Sequence, residues 1–164
     1  MKSALLVSIV CLFFSCQTLK SKSNEPIAKK ISEYVRNNCL ESKTCQIKLK
    51  ETMDFSWDKL YVFDMSVEQQ VLSSIIGEDF SSSSPYYSNK MFFTKGNKVV
   101  DFEQHLIPEV DNPFGDGDVD FEIKDAQNKY TVFNADSIFK VERIKTETGE
   151  FYRLHCINCE NDAK

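Results

Sequence analysis

Glycine and proline are scarce in this chain, with five and four copies in 164 residues. That shortage argues against collagen-like and low-complexity classes, and it leaves no glycine-rich loop to cradle a phosphate. Positive charge is short too: 20 Lys plus Arg face 25 Asp plus Glu, a net charge of −5. Nucleic-acid binders normally carry a basic surplus, so none is expected as a partner. No apolar run approaches the roughly 20 residues of a membrane-crossing helix. Catalytic vocabulary is thin as well. The only histidines are His105 and His155, and neither a G-x-S-x-G elbow nor an H-E-x-x-H helix occurs.

What the chain does have is 41% hydrophobic residues, 13 of its residues being Phe. That supplies one core, and the length suits one domain. Met1-Lys2 forms a short positive start, Ser3 to Phe14 are uncharged and mostly apolar, and Ser15-Cys16 follow. This arrangement fits the hydrophobic region of a secretory signal. With Phe13, Phe14 and Ser15 preceding the cysteine, it resembles a bacterial lipoprotein signal. The resemblance implies removal of residues 1–15 and acylation of Cys16, with palmitate-type chains holding the protein to a membrane. It also implies the periplasmic face of the outer membrane where the host has two membranes, since Gln17 and not Asp follows the cysteine. An ordinary cleaved signal ending near Ser21 is the alternative. Residues 16–25 read as a polar, lipidated tether reaching about 30 Å at most, and 26–160 as the folded domain.

Within that domain the pattern predicts α+β architecture. Pro26–Asn38 places Ile27, Ile31, Tyr34 and Val35 on one stripe, with Asn24 as the cap, and Ser66–Ile76 begins with a Ser66/Gln69 capping box and stops at Gly77. Leu60–Phe63 is continuously apolar, the mark of a central strand covered on both faces. Trp57, Tyr61 and Phe63 are expected on one face by period two. Phe55–Phe63 is similar to a segment of small bacterial lipoproteins and secreted proteins of unassigned function, which implies no activity. Three hairpins are expected: Met91–Thr94 with Val99–Phe102, Val119–Ile123 with Lys129–Phe133, and Ile138–Ile144 with Phe151–Ile157. The expected whole is one antiparallel sheet of about six to eight strands, with both helices of the N-terminal half on one face.

Apart from Cys16, four cysteines would remain after the signal is removed: Cys39, Cys45, Cys156 and Cys159. In an oxidising compartment they are expected as disulfides. Pairing Cys39 with Cys45 would clip the first helix to the next strand and leave Cys156 with Cys159, while the crossed pairings stay open. Asp116, Asp118 and Asp120 match the first, third and fifth ligands of a calcium-binding EF-hand loop. Phe121 and Gln127 occupy its required glycine and its final glutamate, so only a looser calcium site remains. No motif calls for a cofactor.

Charge is also segregated. Residues 16–50 hold eight basic and three acidic side chains, whereas 101–125 hold nine acidic and one basic. The acidic segment suits a basic protein partner. The functional expectation is therefore a non-enzymatic binding module of the cell envelope: an inhibitor, an immunity factor or an assembly accessory. An envelope hydrolase using His105 or an acidic pair, and a small-ligand or calcium module, are the alternatives.

Overall fold

A computed structural model describes residues 25–39, 45–80, 87–106, 117–123, 127, 129–147 and 149–159. Two helices, α1 (Ile27–Asn38) and α2 (Gln69–Ile76), lie in the N-terminal half. Eight strands are present among the described residues: β1 (Cys45–Lys48), β2 (Lys59–Phe63), β3 (Tyr87–Lys95), β4 (Lys98–Leu106), β5 (Val119–Phe121), β6 (Tyr130–Asn134), β7 (Ile138–Thr146) and β8 (Gly149–Cys156). The class is α+β, as expected.

The strands do not form one sheet. They split into a first sheet ordered β1-β7-β8-β5 and a second ordered β4-β3-β2-β6. All pairings are antiparallel except β5 with β8. The hairpins β3–β4 and β7–β8 form as the turn signals indicate. The middle one does not, because β5 joins β8 in the first sheet while β6 joins β2 in the second. Two strands adjacent in sequence thus face each other across a core, and local turn chemistry carries no information about that choice.

The two sheets enclose a core to which α1 contributes Ile27, Ala28, Ile31 and Val35. Phe121, Phe133 and Phe139 come from β5, β6 and β7 and meet with ring centroids 5.0–5.7 Å apart, bonding one sheet to the other. Such pairs add about 0.5–1.5 kcal/mol each beyond the area they bury. The helix start lies at Pro26, which makes no side-chain cap; Asn24 lies outside the described residues. Instead Glu103 of β4 accepts the Ala28 N–H at 2.9 Å, satisfying one of the amides that a helix leaves open at its positive end.

The second sheet is buried on both faces. Leu60, Val62, Met91 and Phe93 enter the inter-sheet core. Phe63 and Phe92 point the other way, into a second cluster closed by Val67, Leu72, Ile76 and Phe80. The helices therefore belong to different clusters rather than sharing one face. Trp57 also parts from its expected companions. It precedes the strand, which begins at Lys59, and packs edge-on against Phe93 at 4.9 Å in the inter-sheet core. Tyr61 and Phe63 lie with the second cluster.

The expected capping box of α2 is replaced by a different device. Asp64 accepts both the N–H and the hydroxyl of Ser66, at 2.8 and 2.6 Å, so the helix starts later, at Gln69. Gly77 ends it in the left-handed conformation (φ +80°), as its position suggests. The turn before α2 is held from below by Lys90. This lysine is fully buried, and its ammonium donates to the carbonyls of Val67 (2.5 Å) and Met65 (3.3 Å).

Burial pushes the Lys90 ammonium below the ordinary lysine value, against an opposing pull from Asp64. Lys90→Met should cost about 1–3 kcal/mol in urea unfolding at neutral pH, because two carbonyls lose a charged donor. A depressed lysine means that the unfolded chain binds the proton more tightly. Lys90 should accordingly contribute more to wild-type stability as pH rises towards 10.5, widening the gap to the variant.

Candidate functional site

Among the described residues, strand β8 carries a different charged cluster on each of its faces. Alternation sends Tyr152, Leu154 and Cys156 inward, leaving Arg153 and His155 on the outer face. The parallel register of β5 sets Asp120 opposite Arg153, and the antiparallel register of β7 sets Glu142 opposite Arg153 and Lys140 opposite His155.

On this outer face the Arg153 guanidinium donates to Asp120 at 2.8 Å. The His155 ring lies between two carboxylates: Nδ1 is 3.2 Å from Glu122 and Nε2 is 3.0 Å from Glu142. A neutral imidazole donates from one nitrogen only, so making both bonds requires the imidazolium. Each ring nitrogen is engaged with a carboxylate rather than with a hydroxyl or thiol, which is not the arrangement of a nucleophile's general base.

On the inner face Tyr152 is fully buried. Its hydroxyl accepts from Arg36 Nε of α1 at 3.2 Å and donates to Glu150 at 2.7 Å. Arg143 approaches the same Glu150 at 3.6 Å and lies over the Tyr152 ring. Gly117 passes so close that an added Cβ would lie 3.3 Å from the Arg36 guanidinium, and its φ of +82° disfavours a side chain in any case. This network fastens α1 to the first sheet. Burial, then Glu150, raises the Tyr152 hydroxyl above the ordinary tyrosine value, with Arg36 opposing.

The cysteines form two pairs, Cys39–Cys45 and Cys156–Cys159, with Cα atoms 5.5 and 5.7 Å apart. The first clips the end of α1 to β1. The second closes the end of β8, where Asn158 accepts the Ile138 N–H at 2.6 Å and donates to the Asp136 carbonyl at 3.2 Å. Each closed loop is short, and the chain-entropy model assigns about 2 kcal/mol to such a bridge.

Of the calcium candidates, Asp116 lies outside the described residues. Asp118 and Asp120 flank Val119 on β5; Asp120 is committed to Arg153, and the Asp118 carbonyl accepts the Tyr152 N–H. Among the described residues, no group of three or more His, Cys, Asp or Glu side chains is placed to hold a metal ion. Cys16 and Ser81–Tyr86 also lie outside the described residues. His105 falls in β4. No described helix is long and apolar enough to cross a membrane.

The segregated charges of the sequence meet carboxylates and cations of the same fold. Lys29 lies between Glu25 and Glu33, Lys30 bonds Asp54, and Lys50 bonds Asp136. In the acidic stretch Asp101 is buried and Glu103 caps α1. Among the described residues of that stretch, Asp118, Asp120 and Glu122 remain, on or beside β5. Comparison with protein-family models, curated proteins and solved structures finds no match to the chain.

Tyr152→Phe keeps the ring and removes both hydroxyl bonds, and should lower stability by about 1–3 kcal/mol in urea unfolding. A tyrosine raised in the folded state contributes below its unfolded value and loses that contribution as pH climbs beyond it. The difference between wild type and Tyr152→Phe should therefore shrink above pH 10.0, the ordinary tyrosine value.

Proposed function

We propose that the protein is a lipid-anchored cell-envelope component that works by binding another protein through the outer face of the β1-β7-β8-β5 sheet. The observation that carries this reading is the pre-organised charge pattern of that face. Asp120 and Glu122 at the edge strand β5 are fixed by Arg153 and His155 of β8, and Glu142 stands on β7, two strands in from β5. Side chains already held in place lose little freedom on binding, and an ordered array of opposite charges selects partners by complementarity. A basic surface suits the edge where the carboxylates gather. The engagement of both His155 nitrogens favours recognition over hydrolysis.

The signal-like start with Ser15-Cys16 supports the anchor, and the two cysteine pairs are consistent with an oxidising compartment. Acyl chains on Cys16, two or more of them, would give stable attachment. With residues 1–15 removed as the signal peptide, the tether from Cys16 to Glu25 would keep the domain within about 30 Å of the membrane. On this reading the protein is a periplasm-facing lipoprotein in a host with two membranes.

Two arms test the proposal. In cells given an alkyne-bearing palmitate analogue, wild-type protein should take up label and sediment with membranes, while Cys16→Ala should do neither. From solubilised envelopes, wild type should recover a stoichiometric basic protein, and Asp120→Asn/Glu142→Gln should recover at least about tenfold less, as expected for lost charge pairs. Equal labelling of wild type and Cys16→Ala would refute the anchor. Equal recovery by wild type and the double variant would refute the face.

A further inference from the structure

Each sheet ends in two edge strands, and three of the four carry a guard against a further strand. β5 has only three residues, with Asp120 at its centre. β1 has four and ends on Lys48. β4 is long, but carboxylates take two of its backbone donors: Glu78 accepts the Val99 N–H and Asp101 the Phe102 N–H, both at 2.9 Å. Its pairing with β3 is also interrupted by register shifts. β6 has none of these devices. Its sequence, Tyr130-Thr131-Val132-Phe133-Asn134, holds no charge, proline or glycine, and its register with β2 runs without interruption.

The hydrogen bonds fix which backbone groups of β6 face outward. Lys129 accepts from Asp64 and Ala135 donates to Asp58, one residue beyond either end of β2. Alternation along the register then gives Thr131 and Phe133 to β2 and turns the backbone groups of Tyr130, Val132 and Asn134 outward. Ser137 takes both groups of Asn134, accepting its N–H at 3.0 Å and donating to its carbonyl at 2.9 Å. The N–H and C=O of Tyr130 and of Val132 are left at the edge, and among the described residues nothing bonds them. Val132 is 38% exposed beside them.

We infer that β6 is a self-pairing edge, to which a second copy of the chain adds its own β6 antiparallel about a two-fold axis at Thr131. That axis sets Tyr130 of each copy opposite Val132 of the other. Each such pair exchanges two N–H···O bonds, so every open group on both edges is used. The side chains match as well. Tyr130 and Val132 share one face of the strand, with the Tyr130 ring stacked on Phe63 at 5.4 Å. Pairing lays an exposed valine against a tyrosine twice over, the aromatic with β-branched combination that cross-strand neighbours favour. Charge does not oppose it. Lys129, exposed just before the strand, lies opposite Phe133 of the second copy on this register. The two Lys129 positions are then about 13 Å apart along the strands, beyond the screening length of about 8 Å at physiological salt. One strand pair buries less than a standard interface, so the dimer is weak and depends on concentration. It rests on the fold alone and not on the proposed binding face.

Sedimentation equilibrium and amide hydrogen exchange of the full chain test it. Between about 10 μM and about 1 mM the mass should rise from one copy towards two. Over the same range the Tyr130 and Val132 amides should exchange more slowly, about tenfold when about nine-tenths of the chain is paired. The Ala135 amide, bonded within one copy, should not change. Val132→Lys puts a charge on the open edge and should remain a single copy with unchanged urea stability, while Val132→Thr should pair as wild type does. One copy at every concentration, a dimer whose Tyr130 and Val132 amides exchange at the single-copy rate, or a folded Val132→Lys that pairs like wild type would each overturn the inference. So would protection of those two amides that appears only on adding envelope extract, which would assign the edge to a strand of another protein.

Discussion

The sheet β4-β3-β2-β6 has a covered apolar surface on each side, and the rest of the molecule is arranged around that constraint. Leu60, Val62, Met91 and Phe93 enter one cluster while Phe63 and Phe92, their immediate neighbours, enter another. Burying large apolar side chains contributes about 1.5–3 kcal/mol each, so neither side can be left to water without a substantial loss. The first side is covered by the β1-β7-β8-β5 sheet and α1, the second by α2 and Phe80. Lys90 makes the second cover possible by tying the turn before α2 to the strand beneath it.

The outer face of β1-β7-β8-β5 carries Asp120, Glu142, Arg153 and His155 beside the buried ring of Phe151, over which the Arg153 guanidinium lies. This sheet's inner residues are spent on the core: Phe121, Phe139, Val141, Tyr152 and Leu154. Its outer residues pair with one another rather than with the opposite sheet, which is why Arg153, His155 and their carboxylates are ordered yet accessible. The proposed binding role arises from that separation of an apolar side and a charged side on one sheet.

Much of this architecture was legible in the residues, and the part that was not has a common cause. The continuous run Leu60–Phe63 announces a strand buried on both faces, and it is one. Hairpins with two or four turn residues, such as Lys95–Lys98, are local events and read correctly. The cysteine pairing was left open by the sequence, and the structure places the short-range pairs 39–45 and 156–159. Misreadings occur where a long-range partner decides. Val119–Phe121 lies beside residues 152–154 rather than beside β6, and Glu103 caps a helix 75 residues away. The Ser66 capping box fails for a local reason instead, since Asp64 two residues earlier takes both the Ser66 N–H and its hydroxyl. For the candidate site, alternation places Asp120, Glu122, Glu142, Arg153 and His155 each on a strand face, but only the parallel pairing of β5 with β8 brings them together.

The two-sided sheet is the claim on which the rest stands, and adjacent phenylalanines test it. In a sheet covered on one side, neighbours in a strand differ sharply in cost, because one of them faces water. Urea unfolding of Phe92→Ala and Phe93→Ala should show both variants losing about 3–5 kcal/mol, the range for removing a buried ring. A loss below about 1 kcal/mol for either, the level of ordinary surface substitutions, would contradict the account.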